Sequence, residues 1–243
     1  MTAEHTSKES ERNRNRILSE LKMNESDLKT VEQIIEAEER KTDGEIAVAV
    51  IPESSDYAAF ELLFAVVLGA AVFAALMLFH QKIEDALSAA FWLPSRALTT
   101  GVMGLASFGS IALFFQLLNR PAIDRIIVPS AVRNTAVRRR AVRRFVEGGV
   151  YATERRTGIL LFLSLAERRI EIVADTGIAE QIEQSEWDAI AAGIAEGARR
   201  GKTAEALSEA VTRCGTLLAS RFPPKQHNPN ELADRVVLLE AGS

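Results

Sequence analysis

Three acidic residues stand where the chain passes between strand-like and turn-like segments. Asp175 follows the alternating stretch Arg169–Ala174 and leads into Thr176-Gly177. Asp43 and Glu45 flank Gly44 at the start of EIAVAVI, residues 45–51. Carboxylates joined by a hydroxyl such as that of Thr157 form a hard-oxygen set suited to Ca2+ or Mg2+. A metal held by them would polarise a phosphoryl oxygen and activate water. Asp175 is the best single candidate and Glu45 the second; Glu186 and Asp188 are further acids, and Asp56 beside Tyr57 is an outlier. The plainer alternative makes Asp43 and Glu45 solvated turn residues, Asp175 a turn cap and Asp188 a helix cap. No P-loop, Ser-His-Asp set, histidine metal motif or glycine-rich dinucleotide motif occurs, so no catalytic residue can be named. The single cysteine, Cys214, rules out an intrachain disulfide and a cysteine zinc site, and reads as a small core residue on a helix. The three histidines are far apart.

The elements that must position these acids follow from periodicity. Ile159–Leu165 is a nearly unbroken apolar run, the pattern of a strand buried on both faces. Ala166-Glu167-Arg168 breaks it. Arg169–Ala174 then alternates Ile170 and Ile172 with Arg169 and Glu171, as a half-buried strand returning beside the first. The turn lacks Asn-Gly or Asp-Gly, so its type is open. Glu45–Ile51 is a third buried strand, ended by Pro52. If residues 45–51 cross over to a parallel partner at 159–165, both strands start at one sheet end and the returning strand finishes there. That topology gathers Asp43, Glu45, Thr157 and Asp175.

Helical spacing marks the covering layers. Leu28, Val31, Ile34 and Ile35 define a helix over 24–41, capped by Asn24 or Ser26. Residues 130–148 form another, stopped by Gly148-Gly149. Ser185-Glu186-Trp187-Asp188 resembles a capping box before the stripe Trp187, Ile190, Ala191, Ile194 and Ala198. Thr203 caps a last helix with Leu207, Ala210, Val211, Cys214, Leu217 and Leu218 on one side. The fold class is α/β: a three-layer α/β/α sandwich with a small mixed sheet, plus a two-helix transmembrane hairpin. Residues 1–23, with Arg12, Arg14 and Arg16 among asparagines, read as a disordered or frayed helical arm. Residues 226–243 read as a tail in which Val236–Leu239 can add an edge strand.

The hairpin rests on two stretches without a charged residue, 62–81 and 97–119. Each is long enough for a bilayer core. Small residues at four-residue spacing (Ala70/Ala74, Ala71/Ala75, Ala106/Ser110) suit close helix packing. The segment 82–96 between them is short, with Phe91 and Trp92 placed as headgroup-level anchors. It carries only Lys82 and Arg96 as basic residues, whereas Arg120, Arg125, Arg133, Arg138, Arg139, Arg140, Arg143 and Arg144 follow the second stretch. The positive-inside rule then puts both termini and the α/β domain in the cytoplasm of a bacterial inner-membrane type of protein. The expected organisation is an arm (1–23), a first part of the domain (24–57), the hairpin (58–120), a second part (121–225) and a tail (226–243). Arg133, Arg138, Arg139, Arg140, Arg143 and Arg144 form a basic patch for anionic headgroups. With a net charge of −4 and no aromatic interleaving, nucleic acid is not an expected partner; membrane lipids and a protein partner in the membrane are.

These features together resemble the TPM domain, named for thylakoid lumen, photosystem II repair and nematode acetylcholine-receptor accessory proteins. The matching residues are Thr42-Asp43-Gly44-Glu45-Ile46, Thr157-Gly158-Ile159-Leu160-Leu161 with Ser164, and Glu167 to Ile178, which reads ERRIEIVADTGI. Trp187, Gly201 and Phe222-Pro223 also fit. The likeness covers roughly 42–56 and 130–224, as a combined pattern rather than one motif. It implies an α/β/α sandwich with a four-stranded sheet, and a role in the assembly or repair of membrane complexes, with divalent-cation binding in some members and acid phosphatase activity in others. Many members have a signal peptide and sit outside the cytoplasm; the hydrophilic start of this sequence departs from that. The function expected is a membrane-anchored partner-binding or assembly and quality-control module that binds a divalent metal, with a metal-dependent phosphatase-like hydrolase as the alternative.

Overall fold

The computed structural model describes residues 2–90, 96–153, 155–224 and 235–240. In chain order the elements are α1 (Thr2–Leu21), α2 (Glu25–Glu39), β1 (Glu45–Ile51), α3 (Ala58–Leu78), α4 (His80–Ala90), α5 (Arg96–Leu118), α6 (Pro121–Ile127) and α7 (Ser130–Glu147). A 3-10 turn, Val150–Ala152, leads to β2 (Gly158–Ser164), β3 (Arg169–Ala174), α8 (Thr176–Ala179), α9 (Gln184–Arg199), α10 (Thr203–Arg221) and β4 (Val236–Leu238). They make two compact units, one from residues 1–55 with 131–243 and one from residues 56–130.

The first unit is built on a four-stranded mixed sheet of order β3-β2-β1-β4. β1 runs parallel to β2, with Glu45 opposite Gly158 and Ile51 opposite Ser164. β3 returns antiparallel to β2, and β4 adds to the other edge parallel to β1. Every residue of β2 is buried, as its apolar run requires. The 165–168 turn places Arg168 in the left-handed region, φ 51°, and its N–H donates to the Leu165 carbonyl. That is a four-residue hairpin loop closed without an Asn-Gly pair.

Strand alternation sends the two sets of side chains to different layers. Ile46, Val48, Val50, Ile159, Leu161 and Leu163 pack with Leu28, Val31 and Ile35 of α2, with Ile190 and Ile194 of α9, and with Leu207, Val211, Cys214 and Leu218 of α10. Ala49, Ile51, Leu160, Phe162 and Val173 face Val137, Ala141 and Phe145, the i, i+4, i+8 stripe of α7. Each fully buried Leu, Ile or Phe contributes about 1.5–3 kcal/mol relative to exposure. Asn24 caps α2 through a capping box: its side chain accepts from the Asp27 N–H at 3.0 Å, and Asp27 accepts from the Asn24 N–H at 2.8 Å.

Three expectations are corrected here. The arm 1–23 is helical, as one of the two readings had it, but helix α1 is packed rather than frayed at its C-terminal end, where Ile17, Leu18 and Leu21 are buried in the same core as Met23. Those apolar residues sit at the end of a very polar helix, so average composition hid them. The capping box proposed at Ser185 does not form; α9 begins at Gln184 with Glu183 as N-cap, whose side chain accepts from Ser185 Oγ at 3.3 Å and makes no capping bond to the backbone. The Thr203 hydroxyl does not cap α10 but donates to the Leu21 carbonyl at 2.6 Å, tying α10 to α1.

In the second unit α3 and α5 pack together. Their seam carries Glu61, Ala65 and Gly69 on α3 and Thr99, Met103 and Ser107 on α5. A Cβ at Gly69 would lie 2.2 Å from Ile111 Cγ1, so glycine permits the close approach. The small pairs expected at the seam are displaced from it: Ala70, Ala71, Ala74, Ala75 and Ala106 face outward. Residues 82–90 continue as α4 rather than a loop, and Phe91 and Trp92 lie outside the described residues. Outward side chains are large and apolar; Leu78 is 81% exposed, Leu105 77% and Phe108 76%. Two helices, at 58–78 and 97–118, are long and apolar enough to cross a membrane.

Candidate functional site

The parallel register of β1 and β2 brings the sequence-predicted acids to one end of the sheet. Glu45 lies opposite Gly158, and the Asp175 N–H donates to the Gly158 carbonyl at 2.9 Å. Glu45 and Asp175 therefore flank Gly158 on neighbouring strands, with Cα atoms about 10 Å apart. Alternation puts Glu45 on the face of Ala47 and Ala49, and Asp175 on the face of Val173, so both belong to the α7 side. Each is only 4% exposed.

Gly158 leaves room for a chain crossing between them. A Cβ there would be 2.1 Å from the Val150 carbonyl oxygen. Gly177 does the same one turn later, where a Cβ would meet the Arg156 carbonyl oxygen at 2.7 Å. Main-chain oxygens of Val150, Arg155 and Arg156 thus approach the sheet end. The turn before β1 is tied to the same place: Thr157 Oγ1 donates to the Asp43 carbonyl at 2.8 Å, and the Glu45 N–H donates to the Thr157 carbonyl at 3.1 Å. Thr42 Oγ1 donates to the Phe222 carbonyl at 2.7 Å, which docks the end of α10.

The acids differ in their partners. Asp175 Oδ1 accepts from the Thr176 N–H at 2.6 Å and from Thr176 Oγ1 at 3.1 Å, capping α8. Its Oδ2 is buried and has no hydrogen-bond partner among the described residues. Asp43 accepts from Arg155 Nη1 at 3.1 Å. Glu186 pairs with Arg213 at 2.7 Å, and Asp188 accepts from Gln184 Nε2 at 3.0 Å. Asp56 Oδ1 accepts from the Ala58 N–H at the start of α3. Among the described residues no three His, Cys, Asp or Glu side chains are grouped to hold a metal. The fit to a hard cation rests on Glu45 and Asp175 with main-chain oxygens, while the Asp43 carboxylate is paired with Arg155.

The six arginines of α7 divide. Arg138 pairs with Glu171 of β3 at 2.7 Å, and Arg143 with Glu147 at 2.5 Å. Arg139 is exposed, Arg133 and Arg144 are half-buried, and Arg140 is buried at 8% exposure. Burial pulls the Arg140 guanidinium below its usual pKa, with Arg143 beside it adding to the fall. Cys214 is wholly buried, and burial pushes its thiol up to about 12.

Two groupings escape sequence reasoning. At the far end of β1 and β2, Ser54 Oγ lies 2.6 Å from Ser164 Oγ, Ser164 donates to Glu167 Oε2, and the Ser54 N–H donates to Glu167 at 3.1 Å. Common residue types separated by 110 positions give no sequence signal. In the second unit Glu61 and Asp124, both 5% exposed, lie side by side; a helix-start acid before an apolar run looks ordinary in sequence.

Architecture and site together define a small α/β/α sandwich with buried acids at one sheet end. The family model of the TPM domain matches residues 123–217, and the chain carries a TPM domain. The fold is similar to that in the NMR structure of the BA42 protein from the psychrophilic bacterium Bizionia argentinensis, with a TM-score of 0.52 and 15% identity over 89% of this chain and 94% of that one. No curated protein sequence matches.

Proposed function

We propose that this protein is a membrane-tethered TPM module that binds a protein partner in assembly or quality control, with a divalent cation held at the sheet end. The observation that carries the cation is Asp175 Oδ2, a buried carboxylate oxygen without a partner among the described residues. A buried anion in that state is costly, and a cation shared with Glu45 and main-chain oxygens offsets the cost. The tether is the pair of apolar helices. With Arg120, Arg125 and the α7 arginines following α5, the positive-inside rule assigns the α/β unit to the cytoplasm. The exposed arginines of α7 add attraction to anionic headgroups.

The test uses the full chain in neutral-lipid nanodiscs. Ca2+ and Mg2+ binding is measured by calorimetry, and hydrolysis of a phosphomonoester is followed in parallel, for wild type and Asp175→Asn. Cation binding weakened about tenfold or more by the substitution, without turnover, supports the proposal. Metal-dependent turnover abolished by Asp175→Asn transfers the reading to a hydrolase in which the cation activates water. Absence of both leaves partner binding alone.

A further inference from the structure

At the other end of β1, about 20 Å from Glu45 along the strand, an open cavity of about 590 Å3 lies between the 54–55 segment and α7. Its polar lining is Ser54, Ser55, Thr135, Arg139, Arg140 and Arg143, with no acid among the lining residues. Three guanidinium groups at i, i+1 and i+4 repel one another unless an anion lies between them. Arg140 is the buried member, and Glu147 lies 3.9 Å from Arg140 and 2.5 Å from Arg143 on the side away from the lining. Arg139 makes no ion pair among the described residues.

The opposite wall is held in place. Ser164 donates to Glu167, so the proton between the two serines comes from Ser54, and that hydroxyl is spent. Glu167 in turn accepts the Ser54 N–H, which fixes the 54–55 backbone beneath the cavity. Ser55 carries no side-chain bond among the described residues, and its hydroxyl is the donor left for a ligand.

We propose that this cavity binds a phosphate group, as the monoester of a larger ligand. Planar guanidinium forks match tetrahedral phosphate oxygens in pairs, and charge-assisted bonds of this kind are the strong ones. A dianionic monoester suits three cations and a hydroxyl better than a carboxylate does. The cavity exceeds the size of a phosphate ion, and Val132 and Ala136 supply an apolar wall for the esterified part. The outer side of α7 carries exposed Val142 and Val146 among the same arginines, so a lipid headgroup is one source of the phosphate and a soluble phosphate another. This proposal does not depend on the cation at the opposite sheet end.

The test titrates the full chain, in phosphatidylcholine nanodiscs, with inorganic phosphate and separately with a short-chain phosphatidic acid. Arg139→Gln and Ser55→Ala remove cavity groups at exposed or half-exposed positions. Arg138→Gln removes an equal charge that pairs with Glu171 and does not line the cavity. The expected result is saturable binding, weakened about tenfold by Arg139→Gln, severalfold by Ser55→Ala, and less than twofold by Arg138→Gln. Binding of both ligands assigns recognition to the phosphate itself; binding of the lipid alone assigns it to a headgroup. No binding of either ligand overturns the proposal, as does an Arg138→Gln loss equal to that of Arg139→Gln.

Discussion

Gly158→Ala probes the packing on which the candidate site depends. The new Cβ would lie 2.1 Å from the Val150 carbonyl oxygen, 2.7 Å from Val150 Cγ1 and 3.1 Å from the Val150 carbonyl carbon. The closest of these is about 1.3 Å short of ordinary contact. The atom in the way is backbone, and the 3-10 turn that carries it is anchored by buried Val150 in the α7-side core. Overpacking of this kind costs about 2–3 kcal/mol, or a fall of about 4–12 °C in Tm for a unit of this size. Relief would lift the Val150–Ala152 turn from the sheet end, so cation binding should weaken with stability. The assay is denaturant unfolding of the full chain in neutral detergent, followed by Trp187 fluorescence in a Trp92→Phe background; Trp187 is 5% exposed and packs in the core beneath the sheet. Gly193→Ala is the control: it lies in α9 with nothing within 4 Å of its would-be Cβ, and should stabilise by about 0.5–1 kcal/mol. A Gly158→Ala midpoint equal to wild type would refute the packing argument.

Asn24→Ala removes the side-chain bond to the Asp27 N–H and leaves the one from its own backbone N–H; it should cost about 1 kcal/mol, read as a shift in the same unfolding midpoint. Cys214 gives a pH prediction. Its thiol is raised from near 9 to about 12 in the fold, so above pH 9 the unfolded chain loses a proton that the folded chain keeps. The unfolded state then binds fewer protons, and stability falls as pH rises, by about 1.4 kcal/mol per unit between the two values. Stability measured at pH 9 and pH 10.5 should decline more steeply for wild type than for Cys214→Ala; equal slopes would contradict the burial argument. A thiol reagent at pH 8 should leave Cys214 unmodified until the chain unfolds.

Strands were the most legible part of the sequence because burial on both faces leaves an unambiguous record. Ile159–Leu165 and Glu45–Ile51 are apolar nearly throughout, and the Ile170/Ile172 alternation marks a sheet edge with one covered face. Parallel pairing of the first two then follows from the helices between them, and that alone predicts Asp43, Glu45, Thr157 and Asp175 at one end. Side-chain partners are not written in periodicity. Arg155, 112 residues from Asp43, pairs with that carboxylate. The α7 arginines looked like one surface patch, yet a helix turns 100° per residue, and Arg140 falls on the buried side. α1 was hidden for a related reason: four buried apolar residues at 17–23 are too few to outweigh sixteen polar-rich positions before them. Ser54, Ser164 and Glu167 meet only because β1 and β2 end together.

The central claim is that one sheet is assembled from two chain segments separated by a lipid-crossing hairpin. Single cysteines at Lys41, Gln81 and Lys202, all exposed, can be labelled with an impermeant maleimide from either side of a sealed membrane, with buried Cys214 silent. Positions 41 and 202 should label from the same side and position 81 from the other. Labelling of 41 and 202 from opposite sides would contradict the shared sheet, and labelling of 81 from their side would contradict the crossing.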